Sequence, residues 1–182
     1  LHDALPIYLS PELQKGMKGP DLRHEYIDPA AESAYYKRCY EQAWLASHGD
    51  LKGFNAETYL GCAREHHLAD PEAVSHLYYE DTSAGLLDLD TRRGAHAGYG
   101  WISLIYLEPE FRHTGCGIQL LSRAMLKYSH LGRKSLRLHV AEENGDAINF
   151  YRRWGFEVLG REPGSSGCLL LMEKKLGRHS HE

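Results

Sequence analysis

Residues 107–118 read Leu107-Glu108-Pro109-Glu110-Phe111-Arg112-His113-Thr114-Gly115-Cys116-Gly117-Ile118: the end of an apolar strand, a glycine-containing loop and the start of an amphipathic helix. The first backbone N–H groups of a helix lack intrahelical partners, and with the dipole behind them they attract phosphate. Gly115 and Gly117 carry no Cβ to hold a diphosphate away. The segment is not a Walker loop, because no G-K-[ST] follows. Nor is it a dinucleotide fingerprint, since G-x-G-x-x-G is absent and the preceding strand belongs to a meander. Alone, R-x-x-G-x-G also fits a plain helix N-terminus.

Upstream of this segment, three strand patterns arrive in series at residues 73–80, 84–91 and 99–107, separated by short turns, and predict an antiparallel meander. Two helices are predicted before them. One spans residues 29–47 with Tyr36, Tyr40, Ala43 and Trp44 at helical spacing; the other follows Asn55 as N-cap, with Phe54 and Tyr59 spaced as a hydrophobic staple, and ends before Pro71. Residues 8–28 read as irregular or as a linker, broken by Pro11, Gly16, Gly19 and Pro20. Downstream, Ile118, Leu121, Met125 and Tyr128 form one stripe of a helix over residues 117–131. A strand at residues 136–140, a short helix at 147–153 and strands at 156–161 and 168–174 complete the pattern.

The run L-x-P-x-x-R-x-x-G-x-G-I resembles the acyl-CoA motif of the GNAT superfamily of N-acetyltransferases. A second block resembles the same family. Leu136, Leu138 and Val140, then Asn144, Ala147, Phe150, Tyr151 and Trp154-Gly155-Phe156, follow its L-x-L-x-V, N-x-x-A-x-x-F-Y and x-G-F pattern in order. The likeness covers roughly residues 73–176. It implies an α/β domain of α+β type over residues 29–176, with a mixed, mostly antiparallel, splayed sheet flanked by helices. It further implies that backbone amides of Arg112, His113, Thr114, Gly115, Cys116, Gly117 and Ile118 hold the diphosphate of acetyl-CoA, with Ile105 and Leu107 bonding the pantetheine arm. Asn144 is implied near pantetheine and the Tyr151 hydroxyl near the thioester sulfur. No metal is implied.

The implied activity is acetyl transfer from acetyl-CoA to a primary amine of a small molecule or peptide, by direct attack in a ternary complex. A phenol, protonated at neutral pH, suits Tyr151 as proton donor to the departing thiolate. Deprotonating an alkyl ammonium at neutral pH costs roughly 4.6 kcal/mol, so a base is also wanted. The strand position where some family members carry a base Glu holds Trp101, which takes no proton. Glu108, His139, Glu142 and Ser103 acting through water are the alternatives, with Glu108 the catalytic candidate named beside Tyr151. Cys116 lies in the phosphate loop, where a nucleophile would face diphosphate rather than thioester. Competing readings are a non-catalytic acyl-CoA sensor or interaction domain of the same fold, and a nucleotide-binding protein of another kind.

Composition bounds these readings. The chain has 182 residues, 42% hydrophobic and 25% charged, with net charge -4, which suits one globular domain. Residues 1–111 hold 9 basic and 18 acidic groups, whereas residues 112–161 hold 9 basic and 4 acidic. A nucleic-acid binder would be basic as a whole, so the local excess points to a compact polyanion, and the acidic portion suits a cationic acceptor. The longest nearly apolar run, residues 101–107, falls well short of the roughly 20 residues that cross a bilayer. Four scattered cysteines with no C-x-x-C pair and no secretory leader predict a reduced, cytoplasmic protein. The 12 histidines show no metal-ligand spacing. Tyr35, Tyr36, Tyr40 and Trp44 line an acceptor cleft or pack as core, and residues 164–167 close over an acceptor or simply turn. Residues 177–182 read as a polar tail, and a monomer and a homodimer are equally compatible. Residues 1–7, L-H-D-A-L-P-I, translate the codons CTA CAC GAC GCT CTT CCG ATC of a common sequencing adapter and read as an adapter-derived scar, with the natural frame truncated upstream of Tyr8.

Overall fold

A computed structural model describes residues 22–164 and 166–177. In chain order, strand β1 (Arg23–Glu25) leads to helices α1 (Ser33–His48) and α2 (Ala56–Ala69), then to strands β2 (Val74–Tyr79), β3 (Thr82–Asp90) and β4 (Tyr99–Leu107). A 3-10 turn (Pro109–Phe111) precedes helix α3 (Cys116–His130), strand β5 (Ser135–Ala141), helix α4 (Gly145–Arg153) and the hairpin β6 (Glu157–Gly164) and β7 (Gly167–Lys175). The expected scar, most of the upstream segment and residues 178–182 of the tail lie outside the described residues.

Local signals place most of these boundaries. The Asn55 side chain accepts from the Thr58 N–H at 3.2 Å, and the Phe54 and Tyr59 rings stack with centroids 5.6 Å apart, so cap and staple together start α2. Two expectations need correction. The stretch expected to be irregular contains β1, which pairs with β2 through Arg23↔Tyr78, His24↔Leu77 and Glu25↔His76, so the sheet extends upstream of Pro29. The first helix begins at Ser33 rather than at residue 29, because the Asp28 carboxylate accepts from the Ala30 N–H at 2.9 Å and holds a turn there.

The seven strands lie in the order β1-β2-β3-β4-β5-β7-β6, antiparallel throughout except for β4 beside β5. That parallel pair shares only Tyr99↔Ser135, Gly100↔Leu136 and Trp101↔Arg137, after which the strands part. A bulge explains the divergence: Asp88 faces Leu104 while Leu89 faces Ile102, which leaves Ser103 as the extra residue in β4. Bulges bend a strand and add twist. They also shift the alternation by one, so Ile102, Ile105 and Leu107 face the core beneath α3 while Leu104 and Tyr106 face α1 and α2. At the closed end, the Tyr128 hydroxyl donates to the Trp101 carbonyl at 2.6 Å, and its ring lies where a Cβ on Gly100 would come within 2.3 Å.

Two cores flank the sheet. Leu120, Leu121, Ala124 and Tyr128 of α3 pack on one face with Leu136, Leu138 and Met172. On the other, Tyr36, Cys39 and Tyr40 of α1 meet Leu60 and Ala63 of α2 above Val74, Leu86 and Tyr106. A polar network is embedded in this second layer: Tyr40 donates its hydroxyl to Asp88, His66 Nδ1 lies 2.7 Å from the same carboxylate, and His66 Nε2 lies 3.4 Å from Asp90. Burial disfavours the charged imidazolium of His66, but the Asp88 hydrogen bond and the charges of Asp88 and Asp90 outweigh it and raise the pKa above 6.5.

A raised folded-state pKa stabilises the fold fully below the unfolded value and loses effect as pH rises through the folded one. His66→Asn is therefore expected to cost about 2 kcal/mol at about pH 6, as for a charge-assisted hydrogen bond, with the deficit narrowing above neutrality. Urea denaturation of both proteins across pH measures this; a constant deficit contradicts a charged His66.

Candidate active site

Where β4 and β5 separate, one edge of β4 has no strand beside it. The Glu108 N–H donates to the Ala84 carbonyl at 2.8 Å, which makes 84 with 108, 86 with 106 and 88 with 104 the hydrogen-bonded pairs of the antiparallel ladder. Ile105 and Leu107 lie between them, so their N–H and C=O groups point into the opening. Both residues therefore present backbone donors and acceptors on the side of β4 that faces the opening. Part of that capacity is already engaged, because Arg112 Nε donates to the Leu107 carbonyl at 2.9 Å and pins the following loop.

Two left-handed residues shape that loop. His113 (φ 59°) and Gly115 (φ 87°) both adopt left-handed backbone around Thr114, an alternation that turns successive N–H groups to one side. Thr114 Oγ1 donates to the Phe111 carbonyl at 2.6 Å and lies 3.2 Å from Cys116 Sγ, which orders the turn from within. The N-terminus of α3 has no side-chain cap, in contrast to α2 and α4, which Asn55 and Asn144 cap. Its N-cap position is held by Gly115, which has no side chain to offer the first turn. A Cβ on Gly117 would come within 3.2 Å of the Phe150 ring, so its smallness lets α3 approach α4.

Tyr151 follows Phe150 on α4 and packs edge-to-face against Phe150 and Phe156, with centroids 5.3 Å away in each case. Burial pushes its phenol above the ordinary 10, so it is protonated at neutral pH. Asn144 caps α4, accepting from the Ala147 N–H at 3.2 Å, and donates to Ser47 Oγ of α1 at 3.3 Å. Ser166 Oγ likewise donates to the Lys52 carbonyl at 3.1 Å, so Ser166 lies against the α1–α2 loop. These two bonds tie the α1 side to the far half of the sheet.

Glu108 is buried at the end of β4 and forms an ion pair with Arg38 of α1, while the Tyr106 hydroxyl donates to it at 3.4 Å. His139 on β5 is half-buried, with Nε2 at 2.7 Å from Glu162 of β6 and its ring edge-on to Trp101 at 4.8 Å. Glu142 is engaged by Arg161 at 2.6 Å, and Ser103 is exposed at the bulge. The aromatic stripe resolves as core, since Tyr36, Tyr40 and Trp44 are buried. Sequence reasoning missed Glu162 and Arg38. Each reaches its partner across the sheet or from a separate helix, and no local spacing signals that. Among the described residues, no group of three or more His, Cys, Asp or Glu is placed to hold a metal, and no helix is long and apolar enough to cross a membrane.

Comparison with known proteins agrees with this geometry. The model of the acetyltransferase (GNAT) family matches residues 29–156. An uncharacterized N-acetyltransferase of Methanocaldococcus jannaschii is 42% identical over 53 residues, which are 29% of this chain and 24% of that protein, so the match spans about a quarter of the relative's length. Among solved structures, Ard1 from Thermoplasma volcanium superposes with a TM-score of 0.67 at 19% identity, covering 87% of this chain and 98% of that one. The yncA structure from Salmonella typhimurium, solved with its cofactor acetyl-CoA, gives 0.66 at 19% identity over 89% and 98%. PaiA N-acetyltransferase from Thermoplasma acidophilum, in complex with coenzyme A, gives 0.60 at 20% identity over 85% and 99%.

Because the neighbour of Gly117 is a ring, Gly117→Val is expected to overpack the α3–α4 contact and cost about 1–3 kcal/mol. Adding Phe150→Ala to Gly117→Val relieves that clash, so the double variant falls short of the sum of the single losses. Urea denaturation of the four proteins completes the cycle; strict additivity places the strain elsewhere.

Proposed function

The chain belongs to the acetyltransferase (GNAT) family, and from that premise we propose that it transfers an acetyl group from acetyl-CoA to a primary amine of a small molecule or peptide, by direct attack within a ternary complex. The observation that carries this reading is the free edge of β4, running from the uncapped α3 N-terminus to the point where β4 and β5 close. A diphosphate at the amides of residues 112–118 and a pantetheine arm along Ile105 and Leu107 together have the polarity of that path. The thioester then lies deep in the opening, with Tyr151 as general acid. Held protonated by burial, its phenol has a proton to give as the sulfur acquires charge. The acceptor approaches from the α1–α2 side, where the chain is acidic overall.

The positive excess of residues 112–161 contributes less than its count suggests. Lys127 pairs with Asp70 at 2.6 Å, Arg137 with Glu173 at 2.7 Å and Arg161 with Glu142 at 2.6 Å, while Arg123 donates to the Tyr26 hydroxyl at 2.8 Å. Backbone amides, rather than a basic patch, therefore bear most of the anion recognition in this proposal.

Calorimetric titration with acetyl-CoA, CoA, ATP and NAD in parallel tests the donor. Selective micromolar binding of acetyl-CoA is expected, and no CoA binding by folded protein overturns the reading. Binding without turnover on any amine would instead favour a non-catalytic acyl-CoA-binding domain. Tyr151→Phe is expected to lower kcat by roughly 10²–10⁴-fold with acetyl-CoA affinity unchanged, and an unaltered kcat removes the phenol from the chemistry.

A further inference from the structure

Glu108, the carboxylate nearest the end of β4, is poorly placed to take a proton. It is buried, and Arg38 and the Tyr106 hydroxyl both address its oxygens. The opposite strand offers a different group. The last register pair between β4 and β5 is Trp101↔Arg137, and two residues further along each strand come Ser103 and His139, which flank the first level of the opening. Leu136, Leu138 and Val140 lie in the core under α3, so alternation turns His139 to the other face, the one from which an acceptor approaches. There the ring stands edge-on to Trp101, and the bond to Glu162 spans β7.

Resting on the acetyltransferase reading above, we propose that His139, oriented by Glu162, is the base that takes the proton from the acceptor ammonium. With Nε2–H donated to the Glu162 carboxylate, the lone pair of the neutral ring sits on Nδ1. The ammonium N–H breaks as Nδ1–H forms, and the freed amine lone pair attacks the thioester carbonyl carbon. On collapse the C–S bond breaks, its electron pair leaves on sulfur and takes the Tyr151 proton, and the second proton from nitrogen passes through solvent to the Tyr151 phenolate, which restores the phenol. The products are an amide and CoA thiol, and the imidazolium returns its proton to solvent. The other charged groups around the ring are already paired: Arg137 of β5 with Glu173 of β7, and Arg93 of the β3–β4 turn over the Trp101 ring at 3.4 Å. Glu162 is thus the carboxylate bonded to His139, and its part is positioning.

The test follows CoA thiol release by the full chain with n-butylamine, a polyamine and a lysine-containing peptide, from about pH 6 to 10. Wild type is expected to show kcat/KM rising along an acid limb to a plateau. His139→Gln is expected to lose about 10²-fold near neutrality and to rise in proportion to hydroxide without that plateau, with added imidazole restoring part of the rate. Glu162→Gln is expected to lower kcat with acetyl-CoA affinity unchanged, since the ring then loses its charge-assisted hydrogen bond, and Glu162→Asp to recover part of the loss. Calorimetry with acetyl-CoA checks that each variant is folded, and if His139→Gln fails that check, the kcat of Glu162→Gln decides. A wild-type profile in His139→Gln, or an unaltered kcat in Glu162→Gln, overturns the assignment while leaving acetyl transfer intact. No acetylation of any amine by wild type overturns the enzymatic reading and this assignment with it.

Discussion

The three-residue ladder between β4 and β5 is the constraint on which the rest of the molecule depends. Were the parallel pairing to continue past Trp101, Ile105 and Leu107 would be consumed by β5 and the sheet would be closed. Two features stop it. The extra residue at Ser103 bends β4 away, and the Tyr128 ring, seated against Gly100 and bonded to Trp101, anchors the closed end so that the bend opens a wedge rather than sliding the strands. The position of α3 follows, because the chain leaving the freed end of β4 must turn through a loop of left-handed residues before it can cross to β5.

The two layers on either side of this wedge differ in character, and the difference matches the division of labour proposed for them. The α3 and α4 side is an aliphatic and aromatic core whose close approach at Gly117 and Phe150 links the loop before α3 to the helix bearing Tyr151. The α1 and α2 side holds buried ionisable groups, with Asp88 shared by Tyr40 and His66 and Glu108 bound to Arg38. Such networks are costly if incomplete, so they specify how α1 and α2 sit on the sheet. The bond from Asn144 to Ser47 carries that placement across the wedge.

Much of this was readable in the sequence where the signal is local. β4 has the bounds that its apolar run predicts, Asn55 caps α2, and the glycine loop opens α3. The family resemblance also carried the splay. Where non-local physics decides, the reading failed. β1 is a polar three-residue edge strand with no alternation to detect, and its place is set by pairing with the distant β2. The bulge at Ser103 carries no glycine, so simple alternation would have set Ile102, Leu104 and Tyr106 on one face. The contact of Gly117 with Phe150, more than thirty positions away, likewise has no local signal. The Glu162 partner of His139 lies two strands over and is brought near only by the registers of β5 with β7 and β7 with β6.

The short seam also bears on how the chain folds. β2, β3 and β4 pair through brief turns, as do β6 and β7, so each half of the sheet contains contacts close in sequence. Joining the halves requires β4 and β5 to meet in parallel across the whole of α3, and loop-closure entropy must be met there for only three register pairs. The seam is therefore a natural candidate for late closure and early opening. In hydrogen exchange it would mark the boundary between two cooperative units, with the wedge between β4 and β5 along their border.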